Sequence, residues 1–387
     1  MKFSKYLTKN GFDVQVITSK NINENAWLDD LTYLKNKIDS ISFNYPSYLG
    51  IVSKNYFQKI MYRLSLLWSK LNTEFNYFDK SVHGKKNLLR KVRFYLRNGF
   101  DNVIVSVAPF HMATFISELI PQYPEVNFIV DFRDPWLENE SSYGYHTISK
   151  KRQIKENESE KKVVNSFNHI VSVSELMTDS FKIKYPNSNA KFHTIPNGFD
   201  NDDIIELSNN ISSNKIKLIF AGTLYDNSKK YFKKLVELLT ELKNTNRELY
   251  NKIQIDFYGH FNLEINQMPE VINIKGHVDN KEINSKILSA DACLLFLSDD
   301  INYSFSTKFC EYLGRKKPII VFSNNGPTSK YVVKNKIGES FTLNSSVKDL
   351  INVVESISKK SKFYYNSFDT KLFELKYLSN IYVQLIK

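Results

Sequence analysis

Residues 291–322, DACLLFLSDDINYSFSTKFCEYLGRKKPIIVF, set a hydroxyl pair, a lysine and a glutamate between two apolar runs. Ser306 and Thr307 are both good N-caps, so a helix is expected to start at one of them. A helix N-terminus offers unpaired backbone N–H groups and the positive end of the peptide dipoles, which suits a phosphate. Lys308 adds a cation where a diphosphate would lie. Glu311, about one turn into the helix, can accept hydrogen bonds from sugar hydroxyls. This is the chemistry that holds a nucleotide sugar.

A second set lies earlier in the chain. Ser106-Val107-Ala108-Pro109-Phe110-His111 closes an apolar run and opens a helix. That puts His111 at a carboxyl-end loop, where doubly wound sheets bind ligands. Its imidazole, titrating near neutrality, can take or relay the proton of an acceptor hydroxyl; the other reading is a capping or packed histidine. Asp131, Arg133 and Asp134 in DFRDPW end the next run in the same way. Pro135 holds Asp134 out of a helix, which makes it an acceptor-side candidate. Arg133 has two neighbouring aspartates to pair with. No cluster has metal-ligand spacing, and Cys293 and Cys310, both in apolar surroundings, make neither a disulfide framework nor a zinc site.

The elements that must position these residues alternate. Strands are expected at Val14–Thr18, Val103–Val107, Phe128–Asp131, Ile170–Val173, Ile216–Phe220, Ile253–Tyr258, Val271–Ile274, Cys293–Leu297, Ile319–Phe322 and Glu339–Leu343, with helical stretches between them. Most are continuous apolar runs, as in parallel sheets covered on both faces. The fold class is therefore α/β, with doubly wound domains. A chain of 387 residues makes two of ordinary size. The break is placed in the polar stretch after Asn197-Gly198-Phe199-Asp200. This gives 1–203 as the first domain, 204–362 as the second, and 363–387 as a final helix.

The formal charge of +12 is uneven: residues 51–100 hold eleven Lys and Arg against two Asp and Glu. Within 57–71, Phe57, Ile60, Met61, Leu64, Trp68 and Leu71 fall at helical spacing, with Lys59, Arg63 and Lys70 elsewhere on the wheel. Such a helix suits an anionic membrane surface, a core-facing position with a solvated basic side, or, least well, a nucleic acid. No apolar run reaches the roughly 18 to 20 residues that span a bilayer, and the N-terminus lacks a signal-peptide core. A cytoplasmic protein, peripheral on the inner face of a membrane, is expected.

Four segments in order resemble the GT-B fold glycosyltransferases of the family-four-like group: 106–119 with 131–136, 193–200 (HTIPNGFD), 218–225 (LIFAGTLY) and the stretch around Glu311. The resemblance implies two Rossmann-like domains facing a cleft, with the C-terminal helix crossing back to the first. It implies a hexosyltransferase that moves a sugar from a nucleotide-diphosphate sugar, with retention, to a glycan or lipid-linked acceptor in cell-surface polysaccharide synthesis. It needs no cofactor or metal beyond the nucleotide-sugar co-substrate. Glu311 would bind the ribose. Gly222 would turn the first donor-domain loop, with Lys229 or Lys230 meeting the diphosphate. Gly259, His260 and the backbone at Val278 would flank the base. Many relatives carry a second Glu where this chain has Tyr303.

The family also opens with an apolar strand and a Gly-rich loop. Here Lys2 to Asn10 reads as the helix that follows them, so a central strand is expected to be missing from the first sheet and the chain to be a truncated or mis-started version. The alternatives are a nucleotide-sugar 2-epimerase of the same fold, a nucleic-acid-binding protein, or an inactive relative acting as a partner subunit.

Overall fold

Runs of apolar residues without polar alternation become strands, and every strand pair among the described residues is parallel. The computed structural model describes residues 2–19, 38–41, 55–57, 59–61, 63–64, 67, 80–107, 109–137, 148–204, 214–259, 268–359 and 368–386. The chain divides into two compact units, Met1–Ile195 with Ser379–Lys387, and Pro196–Leu378. The boundary thus falls ahead of Asn197 rather than at 203, and of the segment 363–387 only Ser379–Lys387 belongs to the first unit.

The first unit runs α1 (Lys2–Lys9), β1 (Val16–Ser19), β2 (Ile38–Ile41), α2 (Lys80–Arg97), β3 (Asn102–Val107), α3 (His111–Ile116), β4 (Asn127–Phe132), α4 (Lys150–Ser166), β5 (His169–Ser172), α5 (Glu175–Lys184) and β6 (Lys191–Thr194). A four-stranded sheet has the order β3-β4-β5-β6, and β4, one of its two inner strands, is buried along its whole length. Strands β1 and β2 form a separate two-stranded sheet. Among the described residues β3 pairs with β4 alone, so the two sheets of this unit do not join.

Arg133, just past β4, ties three parts of the unit together. It holds the Asp131 carboxylate at 2.6 and 2.8 Å, and donates to the Ile195 carbonyl at 3.0 Å and to the Tyr382 hydroxyl at 2.9 Å. Phe3 of α1 packs on Tyr382 with ring centroids 4.8 Å apart. The arginine of DFRDPW therefore fastens the end of the sheet to the last turns of the chain.

The second unit runs β7 (Ile216–Ala221), α6 (Lys229–Thr245), α7 (Arg247–Lys252), β8 (Ile253–Tyr258), β9 (Ile272–Gly276), α8 (Asn280–Ser289), β10 (Ala292–Phe296), α9 (Thr307–Gly314), β11 (Ile319–Phe322), α10 (Pro327–Lys334), β12 (Gly338–Phe341), α11 (Val347–Ser358) and α12 (Leu375–Leu385), whose last turns belong to the first unit. Its six strands have the order β12-β11-β10-β7-β8-β9. Both faces are covered. Phe220, Phe257, Phe296 and Phe322 meet Phe232, Leu235 and Leu239 of α6 and Val353 and Val354 of α11 on one side. Ile219, Leu295 and Val321 meet Phe309, Tyr312 and Leu313 of α9 and Val332 of α10 on the other.

The strand order fixes where a ligand belongs. From β7 the chain first builds outward through β8 and β9, then returns to place β10 on the other side of β7. The loops after β7 and β10 therefore leave in opposite directions, which opens a crevice at their carboxyl ends.

Candidate functional site

Helix α9 follows β10 and carries the candidate donor residues. Ser306 is its N-cap, and its hydroxyl accepts from the Phe309 amide at 3.2 Å. That leaves the first-turn amides of Thr307 and Lys308 for a ligand. Phe309, Cys310, Tyr312 and Leu313 are buried against the sheet, while Lys308 and Glu311 are half-buried on another side, one turn apart. The apolar pattern of the helix thus decides which way its charged pair faces.

Lys308 lies at the crevice. Its Nζ is 3.3 Å from the Thr223 carbonyl and 5.1 Å from the centre of the Phe220 ring. Burial pushes its ammonium down to about 8, and Glu311 pulls the other way. The space is made by Gly222, with φ +141°, where a Cβ would stand 1.9 Å from Lys308 Cε. Gly259, with φ +126°, ends β8 beside it, and a Cβ there would stand 2.0 Å from the Gly222 carbonyl oxygen. The Gly222 amide donates to Tyr258 O at 2.7 Å and the Gly259 amide to Gly276 O at 2.8 Å, so the strand ends stay paired while the backbone turns away.

The two lysines after β7 are both engaged. Lys229 pairs with Asp226 at 2.6 Å, and Lys230 pairs with Asp299 in the loop after β10. Tyr231 also donates to Asp299. Burial pushes the Asp299 carboxyl up, but the bonds from Lys230 and Tyr231 outweigh it and hold it below its usual value. Asp299 therefore fastens the start of α6 to the loop that leads into α9. On the far side, Val278 packs against the core cluster that contains α9. His277 is exposed, and His260 lies outside the described residues.

Four contacts set the position of α9. The Ala221 amide donates to the Tyr312 hydroxyl at 2.9 Å, which ties the helix to the end of β7. The Asn197 side chain donates to Phe305 O at 2.9 Å, and its carbonyl accepts from the Cys310 thiol at 3.3 Å. Gly314 lets the Phe199 ring approach, since a Cβ there would stand 2.4 Å from it. The NGF of HTIPNGFD is thus a brace for the glutamate helix. Order along the chain was its signal, because HTIPNGFD resembles a motif of the same family.

In the first unit the surroundings of His111 favour one of its two readings. His111 opens α3 just past the carboxyl end of β3, as expected, but is only 2% exposed. Its Nε2 lies 3.4 Å from Glu156 Oε1. Glu156 is itself buried and accepts from Trp136 Nε1 at 2.7 Å and from Arg152 at 2.8 and 3.0 Å. Phe110 stacks on Trp136 with centroids 5.1 Å apart, which draws the start of α3 beneath α4. The imidazole is a packed side chain beside a charged network, the second of the two readings that the sequence leaves open. Asp134 is half-buried past the end of β4. Among the described residues no group of three or more His, Cys, Asp or Glu is placed to hold a metal ion.

No protein-family model matches the sequence, and no curated protein matches it. Solved structures do. Sucrose-phosphate synthase from Thermosynechococcus elongatus aligns over 99% of this chain and 90% of its own at 11% identity, with a TM-score of 0.65. A UDP-forming α,α-trehalose-phosphate synthase from Burkholderia vietnamiensis aligns over 96% and 98% at 7% identity, with a TM-score of 0.61. The N-terminal domain of trehalose-6-phosphate phosphatase from Candida albicans aligns over 99% and 91% at 11% identity, with a TM-score of 0.59. At such identities the likeness is one of fold. The chain has the GT-B fold, as the order of its motifs implied.

Proposed function

We propose that this chain is a glycosyltransferase that takes a sugar from a nucleoside-diphosphate donor and passes it to a hydroxyl of a glycan or lipid-linked acceptor. The observation that carries this reading is the placement of Lys308. It sits at the switch between β7 and β10, in a space that Gly222 leaves open, one turn ahead of Glu311. In this reading its ammonium and the amides of Thr307 and Lys308 meet the diphosphate, which gains charge as the sugar departs. Glu311 accepts from the ribose hydroxyls. Gly259 and the backbone at Val278 border the base. Lys229 and Lys230 each hold an aspartate, so Lys308 is the chief cation for the phosphates.

On the acceptor side, Asp134 is the carboxylate in this reading. His111, buried with Glu156, is a positioning residue that holds α3 against α4. Transfer goes with retention, at the cytoplasmic face of a membrane, in the making of a surface polysaccharide.

The test is product analysis with a panel of nucleotide sugars and either a glycan or a lipid-linked acceptor. Transfer of labelled sugar together with release of the nucleoside diphosphate is expected. Conversion of the donor with no acceptor present would point to an epimerase instead, and no turnover of any donor would contradict both.

A further inference from the structure

In the first unit, residues 56–57, 59–61, 63–64 and 67 are helical where described. Tyr56, Phe57, Ile60, Met61, Leu64 and Leu67 are between 37% and 79% exposed. At about 100° per residue these six side chains fall within one arc of roughly 140°. A soluble chain rarely leaves so continuous an apolar stripe in water unless something covers it. Lys59 and Arg63, both exposed, border one edge of the arc.

A second helix of the unit also carries exposed cations. The sequence of α2, KSVHGKKNLLRKVRFYLR, has no acidic residue. Its inner side is Leu88, Leu89, Val92 and Leu96, all buried. On its outer side Lys86, Arg90 and Arg97 are exposed together with Phe94.

We infer that the stripe at 56–67 docks this unit on an anionic lipid bilayer, with the apolar arc entering the headgroup boundary and the lysines and arginines meeting lipid phosphates. Aliphatic and aromatic side chains bordered by cations suit that interface. A nucleic acid would satisfy the cations and leave Ile60, Met61, Leu64 and Leu67 in water. No helix among the described residues is long and apolar enough to cross a membrane, and the contact inferred is with the surface. The inference deepens the reading of a membrane-linked acceptor, but the docking itself needs no donor site.

The test uses the full chain, sedimented with vesicles of phosphatidylcholine alone or mixed with phosphatidylglycerol, across a salt series. Strong binding to the mixed vesicles, fading with salt, is expected. Replacing Phe57, Ile60 and Leu64 by Ser should weaken it on the order of tenfold or more at every salt. Replacing Lys86, Arg90 and Arg97 by Gln should weaken it at low salt and flatten the salt dependence. These side chains point outward, so circular dichroism and Tm of both variants should match the parent.

Absence of binding to the mixed vesicles overturns the inference. So does equal binding by the Ser variant, or self-association of the parent that the Ser variant abolishes, which would make a second copy the occupant. Binding to duplex DNA with none to vesicles would assign the face to nucleic acid. A chain that turns over nucleotide sugars yet ignores vesicles would lose this inference and keep the donor site.

Discussion

A Cβ placed on Gly222 would lie 1.9 Å from Cε of Lys308, although the two residues belong to different crossovers of the sheet. Glycine at 222 is thus what lets the lysine enter the crevice. Gly222→Ala imposes strain at φ +141° and drives the lysine out. A stability loss of about 1–3 kcal/mol is expected. The larger effect should be on nucleoside-diphosphate affinity, read by calorimetry on the folded variant. Unchanged affinity would separate Lys308 from the phosphate site.

The position of Lys308 predicts a pH dependence. Its pKa is lowered to about 8 by burial, so the anion-binding form is fully present below that pH and is lost above it. Affinity for UDP or GDP should therefore hold at neutrality and fall as pH rises through about 8, with proton uptake on binding near that pH. Lys308→Arg keeps its charge and should remove the fall. A flat profile for the parent between about pH 7 and the free lysine value of ~10.4 would contradict the assignment.

Glu156 anchors the buried network beneath α3. Glu156→Gln would leave the Arg152 charge buried without its carboxylate, at a cost of about 3–5 kcal/mol. Urea denaturation should show it as a lower midpoint. His111→Asn should cost less, since the Arg152–Glu156 pair survives it. If His111 instead takes the acceptor proton directly, the Asn variant would keep its stability and lose turnover by about 10²-fold or more.

How much of this was legible in the sequence depends on the range of the interaction. Ile253–Tyr258 and Ile319–Phe322 were read with their observed ends because a buried parallel strand is an unbroken apolar run. The strands Ile38–Ile41 and Lys191–Thr194 are four residues each and partly polar, and left little signal. The cap of α9 was narrowed to Ser306 or Thr307 because capping is local, and it is Ser306. The meeting of Gly222 with Lys308, and of Asn197 with the loop before α9, depends on strand order that no local pattern encodes. The two readings of His111 stayed open for the same reason: Trp136 and Glu156, which enclose it, come from other elements. The stripe at 56–67 was legible as an amphipathic pattern, but periodicity does not say whether its apolar side meets core or solvent.

A second pH effect is expected in the first unit. His169 Nδ1 and His193 Nε2 stand 2.9 Å apart across β5 and β6, a contact that needs at least one neutral ring. Burial, and then Lys191, lower the His193 pKa from its ordinary 6.5. The folded state therefore resists protonation that the unfolded chain accepts. The stability from the neutral pair is present above about 6.5 and is lost as pH falls below it. His193→Gln should flatten the dependence of Tm on pH between about 7 and 5. A slope equal to the parent's would place the titrating group elsewhere.

The central claim is that the carboxyl ends of β7, β8 and β10, with the first turns of α9, form a nucleoside-diphosphate site. Calorimetry of the full chain against UDP, GDP, ADP, CDP and dTDP tests it most directly, with Lys308→Ala and Glu311→Ala as folded controls. One of the five should bind at a single site. Glu311→Ala should lose about 1.5–3 kcal/mol of affinity, the value of hydrogen bonds to a charged acceptor, and Lys308→Ala should lose the dependence on pH. Binding of none of them, or equal binding by parent and both variants, would contradict the account.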